Sequence, residues 1–161
     1  MQEIKIEKIV LSVGGTAEEL EKGFKLLELL TGKKATKTRS KKRIPTLGVR
    51  PKLEVGAVVT LRKNFEELLK RLLVTIDNTL KKKQTSENNF SFGIKEYIEI
   101  PGAEYQREIG IRGFDVTIVF KRSGRRVKLR KMKKGRIPKR QVITKEEIIK
   151  FMEEKFNTEF I

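Results

Sequence analysis

The sequence has 161 residues, which is enough for one domain to bury a hydrophobic core. Lys and Arg number 38 against 21 Asp and Glu, and the formal net charge of +17 predicts a polyanionic partner. His, Cys and Trp are absent, so disulfides, thiolate or imidazole metal sites and nucleophiles activated by His are excluded. No apolar run reaches the length of a membrane span, and Glu3 and Glu7 interrupt any signal peptide, so we expect an untargeted protein without membrane insertion.

The first predicted elements are a strand and a helix. Apolar residues alternate in two stretches between residues 4 and 13, which predicts a strand that ends at Gly14-Gly15. The T-x-x-E box of Thr16 and Glu19 predicts a helix over about 17–30. Bare glycines between a strand and a helix could cradle a phosphate, but the spacing of a nucleotide fingerprint is missing, which favours a plain turn.

Residues 33–52 have almost no apolar periodicity and contain Pro and Gly, which predicts a long exposed loop. Alternation returns over residues 55–61 and predicts a second strand that runs through Arg62. Asn64, with Glu67 at the third helical position, predicts the start of a second helix whose apolar stripe reaches Leu80.

Alternating apolar residues predict further strands over 90–94, 98–100 and 114–120. The alternation is most regular in the last of these three stretches. Ser123-Gly124 is typical of a tight turn and predicts a hairpin whose returning strand, through residues 127–129, turns its apolar side chains inward.

A second T-x-x-E box, from Thr144 to Glu147, predicts the last helix. The order of strands and helices predicts an α+β fold, in which helices pack on one face of a largely antiparallel, curved sheet with long basic loops. We interpret residues 1–161 as a single domain, with a basic hairpin and the terminal helix at about 121–161.

The positive charge is concentrated in two segments. Residues 33–52 hold nine basic and no acidic side chains, and residues 121–140 hold twelve basic and none acidic. A short run of charge is usually a solvated face, but two acid-free segments of this length favour binding to a polyanion.

The carboxylates give no sign of catalysis. The adjacent Glu pairs at 18–19, 66–67 and 146–147 all fall in first helical turns, where the helix dipole explains them. Most Phe residues follow strand or helix periods, which indicates a core and not platforms for stacked bases. We therefore predict no catalytic residue, no metal site and no cofactor.

The two basic segments differ in kind. Residues 33–52 mix Lys and Arg with Thr, Ser, Gly and Pro, a composition that offers phosphate contacts from side chains and from backbone amides. In the second segment, one face of the predicted strand could lie on a phosphate backbone, and Arg126 and Arg136 could instead make planar contacts to bases. The candidate RNA contacts in this segment are Arg125, Arg126, Lys128, Arg130, Lys131, Lys133, Lys134 and Arg136.

Five short pieces occur in an order that resembles one known family. They are Leu-Thr-Gly at 30–32, Leu-Gly-Val-Arg at 47–50, Val-Thr-Leu-Arg at 59–62, Phe-Gly-Ile-Lys-Glu at 92–96 and Gly-Ile-Arg-Gly-Phe-Asp at 110–115. The sequence resembles, nearly end to end, the universal large-subunit ribosomal protein called L-five in bacteria and archaea and L-eleven in eukaryotes. The basic segment and helix after Phe120 resemble the archaeal and eukaryotic branch.

The resemblance implies a cytoplasmic ribosomal protein of the central protuberance. Its partners would be 5S ribosomal RNA, large-subunit ribosomal RNA, the P-site tRNA and neighbouring ribosomal proteins. The residues carried over to 5S RNA are Ser12, Lys33, Lys34, Thr60 and Arg62. The loop that would face the tRNA spans about 41–50, with Lys41, Lys42, Arg43 and Arg50 as its basic residues.

Three other functions are weighed as alternatives. The same basic surface could belong to an RNA-processing enzyme or a ribosome-assembly factor, although the enzyme would need a carboxylate cluster that the spacing does not show. An anionic-membrane binder would need a basic amphipathic helix, and none is predicted.

Overall fold

The computed structural model describes residues 3–161 and contains both helices and strands. The helices are α1 (Glu18–Thr31), α2 (Glu66–Val74), α3 (Arg126–Leu129) and α4 (Lys145–Phe156). The strands are β1 (Ile4–Gly14), β2 (Thr36–Arg39), β3 (Glu54–Leu61), β4 (Thr79–Leu80), β5 (Thr85–Ser86), β6 (Asn89–Ile94), β7 (Phe114–Arg122) and β8 (Glu159–Phe160).

Six of the strands form one antiparallel sheet in the order β2-β3-β1-β7-β6-β5. Strands β4 and β8 form a separate parallel pair. The predicted α+β class and antiparallel sheet are therefore confirmed.

The chain folds as two compact units. The first unit comprises the N-terminal residues to Ile9, Arg62–Phe92 and Thr117–Ile161, and the second comprises Val10–Leu61 and Gly93–Val116. The boundaries between these segments fall inside β1, β6 and β7 and directly after β3.

In the second unit, α1 packs closely on β1. Gly23 of α1 is buried, and a Cβ added there would lie 2.5 Å from Cγ1 of Val13. The absence of a side chain at Gly23 is thus what lets the helix approach the strand. The helix ends at Thr31 and is capped by Gly32, whose φ of 61° in the left-handed region suits a residue without a Cβ.

In the first unit, aromatic rings build the core around β6 and β7. The ring of Phe90 lies 6.0 Å from that of Phe92 and 5.9 Å from that of Phe120. Phe151 of α4 meets Phe120 edge to face at 5.6 Å, a preferred geometry for aromatic pairs. Phe90, Phe92 and Phe120 are buried, which confirms their predicted place in the core.

The second T-x-x-E box caps α4 as predicted. The Thr144 hydroxyl accepts the Glu147 amide at 3.4 Å, and the Glu147 carboxylate accepts the Thr144 amide at 3.0 Å. The cap predicted from the first T-x-x-E box, at Thr16, is wrong. Ala17 adopts a φ of 48° and takes the N-cap position of α1, so Thr16 contributes only its backbone carbonyl to the Glu19 amide.

The predicted start and end of the second helix are also wrong. Asn64 adopts a φ of 53°, and α2 begins at Glu66 after an uncapped Phe65. The helix ends at Val74, because the following turn takes Asp77 and Asn78 into the left-handed region and leads into β4.

Three further predictions of local structure are corrected. Residues 36–39 within the predicted loop form the edge strand β2, paired antiparallel with β3. Residues 97–99 form a 3₁₀ turn and not a strand. The predicted returning strand after Ser123-Gly124 is the one-turn helix α3, and Val127 and Leu129 are exposed on it and not inward.

Candidate nucleic-acid interface

One face of the β1 and β3 strands in the second unit is left uncovered. Leu11, Val13, Val59 and Leu61 are buried, and the residues between them therefore point to the opposite face, since side chains alternate along a strand. Thr60 on that face is exposed, and the other residues of the same parity, Ser12 and Val58, are partly exposed.

The edge strand β2 extends this uncovered face. Residues directly opposite one another in an antiparallel pair share a face, so Thr36, opposite Val58, and Thr38, opposite Gly56, lie on it. A Cβ on Gly56 would lie 2.8 Å from the Thr38 hydroxyl, so the glycine leaves room for that side chain. We call this surface the hydroxyl face; its members are Ser12, Thr36, Thr38 and Thr60.

Lys33 and Lys34 lie where the chain leaves α1 and enters β2. Both are exposed, and the Lys33 amide donates to the Thr31 hydroxyl at 3.3 Å, which fixes the turn after Gly32. Lys34 has the strand parity of Thr36. The structure therefore places Ser12, Lys34 and Thr60 of the predicted 5S site at or beside the hydroxyl face.

Arg62 follows β3 directly and is exposed. It is the first residue of Arg62–Phe92 in the other compact unit. Arg62 lies two residues after Thr60 and therefore has the same strand parity.

The predicted tRNA-facing residues lie in the β2–β3 loop, residues 40–53. The loop has its own hydrogen bonds: Ser40 and Lys52 pair at its base at 2.8 Å, and Ile44 and Val49 exchange backbone bonds of 2.9 and 3.1 Å across its tip. A 3₁₀ turn over Pro45–Leu47 closes the tip. The basic residues Lys41, Lys42, Arg43 and Arg50 are all exposed around it.

A second basic surface belongs to the first unit and surrounds a cavity of about 410 Å³. We call it the basic pocket. Six of its lining side chains are cationic and none is acidic. The lining residues are Asn88, Lys121, Arg122, Arg125, Lys128, Lys134, Gly135, Arg136, Ile137, Gln141 and Val142.

Two arginines of the basic pocket are held by carboxylates from outside it. Arg122 pairs with Glu147 at 2.5 Å and donates to the Arg140 carbonyl at 3.4 Å. Arg125 pairs with Glu7 at 2.5 Å and donates to the Phe120 carbonyl at 3.2 Å. These two side chains are therefore fixed in place before any ligand arrives.

The ion pair with Arg122 also affects the titration of its partner. The Thr144 backbone amide, followed by the Arg122 guanidinium, holds the pKa of the Glu147 carboxyl below its usual value. Hydrogen bonds to the charged form of an acid have this effect. Glu147 thus joins the cap of α4 to the wall of the basic pocket.

The structure divides the RNA contacts predicted for the second basic segment into two groups. Arg125, Lys128, Lys134 and Arg136 line the basic pocket. The other four are exposed outside its lining: Arg126, Arg130, Lys131 and Lys133.

Two cationic members of the pocket are not among the predicted RNA contacts. Lys121 and Arg122 end β7, beyond the strand predicted over 114–120. The signal was present, because the acid-free segment begins at Lys121.

The Gly14-Gly15 junction was open to two interpretations, a plain turn or a phosphate cradle. The Gly15 amide donates to the Val55 carbonyl at 3.1 Å, which supports the plain turn.

Over residues 3–161, no cluster of acidic residues that could hold a metal ion is found. Within the same part of the chain, no helix is long and apolar enough to cross a membrane.

Known proteins of one family are similar to this chain along its whole length. The profile described as ribosomal protein L5 matches residues 1–50, and the profile of the C-terminal region of the same family matches residues 54–151. A large ribosomal subunit protein uL5 from Nanoarchaeum equitans is 39% identical over 165 residues, which cover 100% of this chain and 98% of the relative. The proteins of that name from Methanococcus maripaludis strain C6 and Sulfurisphaera tokodaii are each 40% identical, covering 100% of this chain and 93% and 94% of theirs.

The chain is a ribosomal protein of the large subunit, and it belongs to the L5 family in its archaeal branch. It is a structural constituent of that subunit and associates with ribosomal RNA. The family is not enzymatic, so the alternative of an RNA-processing enzyme is wrong.

Proposed function

We propose that this protein binds 5S ribosomal RNA through the hydroxyl face in the central protuberance, where neighbouring ribosomal proteins surround it. The β2–β3 loop contacts the P-site tRNA, and the basic segment after β7 contacts large-subunit ribosomal RNA. The observation that carries the proposal is the uncovered hydroxyl face, with Lys34 beside it and Lys33 in the adjoining turn. The ribosome concerned is the cytoplasmic one.

The chemistry of the hydroxyl face suits a folded RNA. Ser and Thr hydroxyls donate to and accept from phosphates, ribose 2′-hydroxyls and base edges, and Lys neutralises phosphates. A strand face also holds these groups on rigid backbone, which fixes their spacing.

The β2–β3 loop suits a second, separate RNA contact. It is closed by its own hydrogen bonds, it carries no acidic residue between Ser40 and Leu53, and Leu47 at its tip is 70% exposed. An exposed apolar side chain among cations can pack on a base or ribose while the cations meet phosphates.

The proposal is tested by 5S RNA binding of the full chain and of two double variants with equal loss of charge. Lys33→Gln with Arg62→Gln should weaken binding about 100-fold, because each charge-assisted hydrogen bond is worth on the order of tenfold. Lys22→Gln with Arg71→Gln removes exposed cations of α1 and α2 and should leave binding within about threefold. Equal losses in both variants would contradict a specific site.

A third variant tests the hydroxyl face without any change of charge. Thr60→Val keeps the shape of the side chain and removes only its hydroxyl. It should weaken 5S RNA binding about three- to tenfold, the usual value of one neutral hydrogen bond. Unchanged binding would show that RNA does not contact Thr60.

A further inference from the structure

We propose that the basic pocket holds one unpaired nucleotide of ribosomal RNA, with its phosphate among the pocket cations and its base against the apolar and amide side chains of the lining. This inference deepens the proposed function and rests on it, since it names the RNA element that the segment after β7 binds. It also distinguishes the pocket residues from the other basic residues of that segment.

The size of the basic pocket exceeds what a phosphate group alone would fill. Its cavity of about 410 Å³ lies within the roughly 300–1,000 Å³ of sites that enclose small molecules. Since one water takes ~30 Å³ of liquid, a lone phosphate would leave most of this space to solvent. A phosphate with its ribose and base is a better match.

The charge of the basic pocket suits the phosphate end of such a ligand. Arg122 and Arg125 have carboxylate partners. The remaining four cations form no ion pair with any side chain of residues 3–161, and they are Lys121, Lys128, Lys134 and Arg136. A phosphodiester would neutralise part of a surface that is otherwise repulsive.

The apolar part of the lining suits a base. Ile137 and Val142 are half-buried and apolar, and Gln141, also in the lining, carries a side-chain amide. An unstacked base needs an apolar or planar surface for its ring and amide groups for its edge. The mixed lining is thus that of a nucleotide site and not of a simple anion site.

The pocket walls are held in position before binding. The ion pairs of Arg122 and Arg125 fix these two side chains, and the Gly135 amide donates to the Val127 carbonyl at 3.1 Å, which fixes the segment around Gly135. A Cβ at Gly135 would lie 2.8 Å from Cγ1 of Val127, so the close approach of this segment to α3 requires a glycine. Preformed walls lower the entropic cost of binding.

The test uses two variants of the full chain with the same loss of charge within one segment. The pocket variant is Lys128→Gln, Lys134→Gln and Arg136→Gln; the control is Arg130→Gln, Lys131→Gln and Lys133→Gln. All six side chains are exposed and none is in an ion pair within the described residues, so both variants should fold as the wild type does. Circular dichroism and thermal unfolding verify this.

The first measurement is a titration of the isotope-labelled chain with uridine 5′-monophosphate, adenosine 5′-monophosphate, uridine and inorganic phosphate at constant ionic strength. We expect at least one nucleotide to shift the amide resonances of Gly135, Gln141 and Val142 and to bind about tenfold more tightly than phosphate or uridine. The pocket variant should lose about tenfold or more, and the control should stay within about twofold. Inorganic phosphate binding as tightly as both nucleotides, or equal losses in the two variants, would overturn the inference.

The second measurement is the binding of 5S RNA by the wild-type chain, and it distinguishes a failure of this inference from a failure of the proposed function. Wild type that binds 5S RNA but shows no nucleotide-dependent shift at the pocket would refute the inference alone. Wild type that fails to bind 5S RNA would refute the proposed function, whatever the nucleotide titration shows.

Discussion

Glu147 connects two features of the first unit at the scale of a single side chain. Its carboxylate accepts the Thr144 amide that starts α4 and the Arg122 guanidinium that lines the basic pocket. Loss of its charge should therefore affect both the stability of the helix and the position of Arg122.

This arrangement predicts a specific dependence of stability on pH. Because the pKa of Glu147 is lower in the folded protein than its ordinary value of 4.5, its contribution is fully present above that value and is lost as the pH falls through the folded-state pKa. Urea unfolding should show Glu147→Gln to be less stable than wild type by about 1 kcal/mol at pH 7, because Gln can still accept the Thr144 amide but loses the charge-assisted hydrogen bond with Arg122. The difference should shrink as the pH falls well below 4.5.

A neighbouring acid provides the control for this experiment. Glu146 lies in the same first turn of α4, but it accepts none of the side-chain hydrogen bonds found in the described chain. Glu146→Gln should lower stability by a few tenths of a kcal/mol at most, the value of a single charge near a helix start. A difference between wild type and Glu147→Gln that persists unchanged at low pH would contradict the account.

At the scale of elements, the sequence predicts strands and helices best where side-chain burial decides them. β7 has buried Phe114, Val116, Ile118 and Phe120 at alternate positions, and its period was sufficient to find it. β2 was missed because its four residues, Thr-Lys-Thr-Arg, are all exposed, and the strand is defined by backbone pairing with β3.

The helix caps, like the strands, could be predicted in one case and not in another. The two T-x-x-E boxes are alike in sequence, yet only Thr144 caps its helix. At α1, the left-handed φ of Ala17 displaces Thr16 from the cap, and no propensity rule anticipates an alanine in that region. α3 was missed because Val127 and Leu129, spaced as in a strand, are exposed side chains of a single turn.

The β2–β3 loop gives a prediction for an element as a whole. Charge reversal at Lys41, Lys42 and Arg43 should leave 5S RNA binding within a few fold, because the loop residues are separate from the hydroxyl face. The same variant should weaken the retention of P-site tRNA on ribosomes that contain it. Filter binding of deacylated tRNA to purified ribosomes measures this effect.

The loop variant and the variant Lys33→Gln with Arg62→Gln should therefore show their defects in different assays. The variant Lys33→Gln with Arg62→Gln should lose incorporation into the large subunit before any tRNA effect can be measured. If the loop variant loses 5S RNA as completely as that variant does, the loop belongs to the ribosomal RNA interface and its tRNA role is wrong.

At the scale of the whole molecule, the charge segments could be predicted from the sequence and their geometry could not. The hydroxyl face follows from strand parity once β1 and β3 are known, although the contribution of β2 required the register. The basic pocket joins Asn88 to residues 121–142, and its Arg125 is fixed by a carboxylate 118 positions away. No spacing pattern in a single sequence predicts a contact between residues so far apart along the chain.

The two acid-free basic segments account for the net charge of +17, because the rest of the chain holds slightly more acidic than basic side chains. Residues 33–52 belong to the second compact unit and residues 121–140 to the first. We expect the two segments to contact separate RNA elements, as the proposed function requires.

The most direct test of the central claim is a cryo-electron microscopy structure of the large ribosomal subunit that contains this chain. The account predicts 5S ribosomal RNA within hydrogen-bonding distance of Ser12 and Thr60, and an Arg62 side chain in contact with the same RNA. A hydroxyl face covered by another protein or open to solvent, with Arg62 free of RNA, would contradict it.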